Sequence, residues 1–299
     1  MKKLNYRQFK DRTAGRMMFV FTMLSLLLVV AMGVGLYLKS APILHEHSLW
    51  ELLSASSWKP LKNQFGFFPF IMGTLWVTGI AVLIALPVSM LMAIYLMEYA
   101  HSAVRRYVYP LLDILAGIPS VIYGVWGTLV IVPFIAERIA PRFSDGPTSG
   151  YTVLASGIVL SVMILPLLVS LFIEIFDSVS TELRESSMAL GATRWQTTKF
   201  VVLRKTIPGL MASVVLALSR ALGETVAVLM VCGNLPQAPR SLLNACYPIP
   251  ALIANNYGEM LSQPLYEAAL MFAAFILFFV VLVFNLGSRM VLRRVSKTA

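Results

Sequence analysis

The chain has 299 residues, 58% hydrophobic and 13% charged, with a mean hydropathy of +0.79. That composition excludes a soluble domain of this length and requires several membrane spans of about 20 apolar residues each. The formal net charge of +10 invites a nucleic-acid reading, which its distribution along the chain excludes.

Six apolar stretches are legible, at about 17–38, 70–97, 107–136, 151–173, 207–232 and 265–288. Of the 24 Lys and Arg residues, 17 lie in the N-terminal tail, after the second stretch, after the fourth, and at the C-terminus. Six lie in the alternate segments: Lys39, Lys59, Lys62, Arg138, Arg142 and Arg240. This is the positive-inside bias, and it predicts six spans with both termini in the cytoplasm. Arg220 is the remaining cation, and it lies inside the fifth stretch.

In chain order, residues 1–16 form a basic tail carrying Lys2, Lys3, Arg7, Lys10, Arg12 and Arg16. The uncharged run 17–38 is longer than a signal-peptide core of about 7–15 residues, and no A-x-A site follows, so it reads as a retained anchor. Segment 39–69 is an outer amphipathic connection whose Trp50 and Trp58 suit a membrane interface. Its His45 and His47 read as solvated surface, since a zinc site needs three or four ligands. Residues 70–291 form a core of five spans, and 292–299 a cytoplasmic tail.

The third stretch contains Gly117, Pro119 and Ser120. Proline removes a backbone donor and clashes with the preceding turn, so the helix is expected to kink or break there. Broken backbone at membrane depth is tolerated only inside protein or beside a wet cavity. Two readings follow, a path-lining helix or a packing kink. Asp113 in the same stretch is expected to answer Arg105 or Arg106. The connection 137–150 holds Pro141, Asp145, Gly146 and Pro147.

The inner segment 178–208 predicts two short helices joined at a glycine. Ser180 is placed to cap the first, with Glu182 in its first turn. Gly191 suits the positive-φ position that ends it. Thr193-Arg194-Trp195-Gln196 is a capping box that opens the second. The result is a compact elbow fit to dock a partner, or an ordinary amphipathic loop whose Arg194 and Lys199 meet lipid phosphates or partner carboxylates.

In the fifth stretch, Arg220 and Glu224 are four residues apart, which on one helix brings them to one face. Ser213, Ala217, Arg220, Glu224 and Ala227 fall on one small or polar stripe, and Ser219 is a further candidate path residue. An ionised side chain within a span marks a pathway by default. Arginine presents a rigid fork of donors matched to tetrahedral oxyanions, and a nearby glutamate keeps anion binding weak enough for release. The competing reading is a structural ion pair locking two subunits. Beyond this stretch, segment 233–264 is proline-rich and reads as a loop with short helical or re-entrant pieces. Glu267 reads as an interfacial charge. Cys232 and Cys246 are read as two thiols, a disulfide being permitted if that face is oxidising.

Glu185-Ser-Ser-Met-Ala-Leu-Gly191, followed after nine residues by Val201-Val-Leu203, resembles the EAA loop of ABC-importer permeases. Ser186 and Ser187 replace its alanines, and Arg204 stands where its proline is expected. The segments around Ser219-Arg-Ala-Leu-Gly-Glu224, Leu115-Ala-Gly-Ile-Pro119 and Gln64-Phe-Gly-Phe-Phe-Pro69 resemble phosphate-specific (Pst) permease subunits. Met230-Val-Cys-Gly-Asn-Leu-Pro-Gln237 is more similar to the PstC type than to the PstA type.

The resemblance implies an all-α, six-span, type I ABC-importer (MetI-like) permease of the bacterial inner membrane. It implies a second, homologous permease, a dimer of ATP-binding subunits and a periplasmic phosphate-binding protein as partners. The coupling role would fall to Glu182, Glu185, Gly191, Arg194 and Trp195. The chain has no G-x-x-x-x-G-K-[ST] loop, so ATP would act through the partner, with no cofactor bound to this chain and no enzyme activity of its own. The alternatives are a permease for sulfate, molybdate or tungstate, or a secondary anion transporter, which would require inverted repeats not found in the sequence. A membrane lipid phosphatase would need a nucleophile or an acid–base pair near the interface, and the spans contain no histidine.

Overall fold

A computed structural model of the protein describes residues 2–143, 148–258 and 263–298, and the side chains of 10–143, 148–258 and 263–290 among them. Asp145, Gly146 and Pro147 lie outside the described residues, as do the side chains of Lys2, Lys3, Arg7, Arg293, Arg294 and Lys297.

Among the described residues, six helices are long and apolar enough to cross a membrane: Lys10–Glu46, Phe68–Tyr99, Ser120–Phe143, Val153–Asp177, Arg194–Leu222 and Pro264–Met290, here spans one to six. The face carrying the 178–208 segment is termed the elbow face, and the opposite one the far face. Spans two and four form the central pair, sealed by Val77, Ile80, Leu160, Ile164 and Leu168. Their closeness depends on Gly157, where an added Cβ would sit 2.4 Å from Ile80 Cγ2. With little hydrophobic drive between helices in lipid, such small-residue contacts and their van der Waals packing hold spans together. Span one packs on span six, and its apolar surface is otherwise open, with Phe19, Phe21, Leu26 and Leu27 all exposed.

Two boundaries differ from the sequence reading. The break expected at Pro119 forms, and it divides the 107–136 stretch: the helix Ser102–Gly117 ends, Ile118 and Pro119 are extended, and span three begins only at Ser120. The Ser102–Gly117 helix is amphipathic, burying Leu112 against span four while leaving Tyr107 and Ile114 exposed, so it does not supply a continuous apolar cylinder. The second elbow helix is not separate either. Arg194–Thr197 continues through the wide turn Thr198–Val202 directly into Leu203–Leu222, so span five begins at Arg194 rather than near 207.

On the far face, Trp58 packs within the protein. It is the hub of an aromatic cluster with Phe65, Phe67, Phe70 and Tyr266, at centroid distances of 5.0–5.9 Å. Trp50, on the short helix Leu49–Ser54, is exposed. Glu267 is not solitary: Lys39 Nζ meets its Oε1 at 3.3 Å, tying span one to span six. His47 Nδ1 lies 3.6 Å from Glu51 Oε1. Segment 233–248 folds over the start of span four, where Val153 and Leu154 donate to the Asn244 and Leu242 carbonyls. The helix Ile249–Asn256 then tucks in, its Ile249 N–H donating to Thr74 Oγ1 of span two at 2.9 Å. Cys232 and Cys246 are buried free thiols, joined through the backbone by Cys246 N–H donating to the Cys232 carbonyl at 2.9 Å.

Candidate functional site: two helix breaks and an elbow

Span five ends at Leu222. Gly223 and Glu224 donate to the carbonyls of Arg220 and Ala221, a tighter i−3 pattern that closes the helix. Glu224 and Thr225 are non-helical, and a short helix Val226–Val231 restarts the chain. Lys205 to Arg220 is 15 residues, or about 22 Å at 1.5 Å per residue. Taking Lys205, the last charge before the apolar run, as the inner boundary places the break within the roughly 30 Å thickness of a bilayer core. Exposed backbone there must be satisfied by protein or by water.

The expected Arg220–Glu224 pair is not formed, because the two residues do not share one helix. Arg220 is exposed, on a face that continues through Leu216 and Ala212. Glu224 is half-buried, and its Oε1 accepts the Ala227 N–H at 3.3 Å, so it caps the restarted helix. It also lines a cavity of about 10 Å³, no larger than one water, with Thr74, Thr78, Leu222 and Pro248.

The rest of the stripe on span five packs against neighbouring spans. Gly209 backs onto Ile175 of span four, and Ser213 and Ala217, one and two turns further on, are buried. The Ser213 hydroxyl donates to the Gly209 carbonyl. Ser219 donates to the Val215 carbonyl and accepts from Asn285 Nδ2 of span six at 3.0 Å. Asn285 was legible as a polar residue in an apolar span, which favours an interhelical hydrogen bond, yet its partner depends on the packing.

The break at Pro119 and the break at Glu224 are brought together. Ser120–Trp126 packs on Val226–Val231, where an added Cβ on Gly124 would lie 3.2 Å from Ala227 Cα. Thr128 Oγ1 lies within hydrogen-bond distance of the Met230 carbonyl, 3.3 Å. Across the Pro119 break, the Tyr123 hydroxyl donates to the Leu115 carbonyl at 2.8 Å. Gly117 and Pro119 are exposed, and Ser120 opens the following helix. Asp113 is also exposed and pairs with neither Arg105 nor Arg106; Arg105 Nη2 instead donates to the Met97 carbonyl at 2.6 Å.

The elbow is built from local signals. Thr181–Ala189 is its first helix, with Glu182 in the first turn and Glu182 and Glu185 exposed. Ser180 occupies the N-cap position without a capping bond. Gly191 has φ +87° and donates to the Met188 carbonyl. The capping box is reciprocal: Thr193 N–H donates to Gln196 Oε1 at 2.8 Å, and Gln196 N–H to Thr193 Oγ1 at 3.3 Å. The hydroxyls of Ser187 and Thr197, 3.0 Å apart, join the two arms. The tip presents Leu190, 90% exposed, with Met188 and Trp195 also exposed and Arg194 beside them. An apolar tip rimmed by charge marks an interaction surface.

Residues 85–297 match the family of binding-protein-dependent transport system inner membrane components. The phosphate transport system permease protein PstC of Xylella fastidiosa strain 9a5c is 39% identical over 256 residues, covering 81% of this chain and 78% of that protein. The PstC of Haemophilus influenzae is 34% identical over 303 residues, covering 97% and 94%. A bacterial alginate ABC transporter, solved in complex with an alginate-bound periplasmic protein, superposes with a TM-score of 0.57 at 20% identity, covering 77% of this chain and 80% of its own. The fold is thus that of a MetI-like ABC importer permease, and the chain belongs to the binding-protein-dependent transport system inner membrane components, among the PstC phosphate permeases.

Proposed function

We propose that this chain is one half of the membrane path of an ATP-driven inorganic phosphate importer in the bacterial cytoplasmic membrane. Both termini and the elbow face the cytoplasm, in keeping with the charge bias of the connecting segments. The chain hydrolyses nothing itself. A dimer of ATP-binding subunits docks on the apolar tip at Met188, Leu190 and Trp195, with Glu182, Glu185 and Arg194 at its rim. A second, homologous permease covers the exposed face of span five, and a periplasmic phosphate-binding protein delivers the anion to the far face.

The observation that carries this reading is Arg220: the sole basic residue between Lys205 and Arg240, exposed beside a helix break at membrane depth. An exposed guanidinium there is stabilised by an anion or by a partner surface, not by hydrocarbon. Its planar fork suits two phosphate oxygens. Glu224, half-buried and accepting the Ala227 N–H, supplies a negative charge four residues on that would limit how tightly the anion binds.

The test is uptake into proteoliposomes holding this chain with its partner permease and ATPase, with ATP inside and binding protein outside. The expected result is phosphate uptake that requires both, undiminished by sulfate, molybdate or tungstate. Transport of one of those anions and not of phosphate would overturn the substrate and keep the ATP-driven mechanism. Uptake driven by an ion gradient without ATP would overturn the mechanism.

A further inference from the structure

The elbow is continuous through the chain with spans four and five, but span two has no such link to it. A buried side-chain cluster supplies one. Arg184, in the first elbow helix, places Nη1 2.8 Å from Glu98 Oε1 at the inner end of span two. Its Nη2 donates to the Phe176 carbonyl in the last turn of span four at 2.5 Å. The two side chains are 16% and 13% exposed, which makes this the most enclosed ion pair among the described residues. Glu98 sits in the wide turn Tyr95–Tyr99, which closes span two through Ala100 N–H donating to the Tyr95 carbonyl.

An enclosed ion pair adds little net stability, because desolvation offsets the attraction. The pair here is not optimised for stability either. Glu98 Oε1 has no aligned hydrogen bond, and Arg184 Nε lacks a partner. What the arrangement supplies is position. One helical turn separates Arg184 from exposed Met188, so a displacement of the tip reaches Arg184 with little intervening slack. Span two carries it onward: Thr74 and Thr78 line the cavity beside Glu224 at the other end of the same helix.

We propose that Arg184 is a positioning residue that transmits elbow movement to span two through Glu98. This rests on the reading of the elbow as the ATPase dock. The test compares E98Q, R184Q and the double variant E98Q/R184Q in the purified, reconstituted transporter. The readout is phosphate transported per ATP hydrolysed, which a merely structural role would not move. Each single variant is expected to lower that ratio about three- to tenfold. The double variant is expected to be no worse than the more severe single one, since both remove the same tie. Single variants with the wild-type ratio, whatever the yield of complex, overturn the inference, as does a double variant whose losses multiply. A wild-type complex with no ATP-dependent uptake would instead overturn the proposed function itself, so the two failures are distinguishable.

Discussion

Glu224 accepts the Ala227 N–H at 3.3 Å across a helix break, while Arg220 stands exposed in the last turn before that break. The two charges thus serve different surfaces, Glu224 the interior of this subunit and Arg220 its outside. That separation gives each residue its own expected phenotype.

Arg220→Gln removes a charged donor fork from the proposed path. A hydrogen bond to a charged group contributes about 1.5–3 kcal/mol, so phosphate uptake is expected to fall about 10- to 100-fold. Recovery of the variant with its ATPase should be unchanged. Arg220→Lys keeps the charge without the fork and should fall between the two. Uptake assays on co-purified complexes decide the matter, and normal transport by Arg220→Gln would remove the residue from the path.

Glu224 separates its two roles by substitution. Glu224→Gln keeps an acceptor for Ala227 and loses the negative charge. The variant is expected to melt within about 0.5 kcal/mol of wild type while turning over more slowly at a lower KM, as the anion is held longer. Glu224→Ala loses the cap as well, at about 1 kcal/mol. Thermal unfolding beside uptake kinetics checks both, and unchanged kinetics in Glu224→Gln would show that the charge is immaterial.

Gly191 adopts φ +87° with open space where a side chain would project, so a substitution there acts through the backbone alone. Gly191→Asn, which tolerates the left-handed region, is expected to transport nearly as wild type. Gly191→Val should cost about 1–2 kcal/mol or more at the elbow and lose binding-protein-stimulated ATP hydrolysis. Equal coupling in the two variants would sink the elbow reading.

The span two–span four seam has no room at Gly157. Gly157→Ala places a methyl 2.4 Å from Ile80 Cγ2, and overpacking of that kind costs about 1–3 kcal/mol. A lowered melting temperature of the detergent-solubilised protein is expected, without change in which partners co-purify. No loss of stability would mean that the two spans are less tightly packed than described.

The local sequence determined much of this molecule. Apolar runs set six spans, because lipid demands about 20 such residues for each. Gly191 and the Thr193/Gln196 box set the elbow, because caps and positive-φ turns are satisfied by groups within a few residues. What depends on neighbours distant in sequence was decided by the tertiary structure. Gly223-Glu224-Thr225 carried a signal for a helix end, a glycine followed by a capping residue, but the i,i+4 spacing of Arg220 and Glu224 argued equally for one helix. The break prevailed where the restarted helix could pack on Ser120–Trp126, behind the second break at Pro119. Ser213 and Ser219 read as path residues by type, yet their surroundings are span four and Asn285 of span six. Arg184 and Glu98 lie 86 positions apart, and no periodicity relates them. Periodicity assigns a residue to a face of its own helix; which neighbour that face meets is fixed only by how the helices pack.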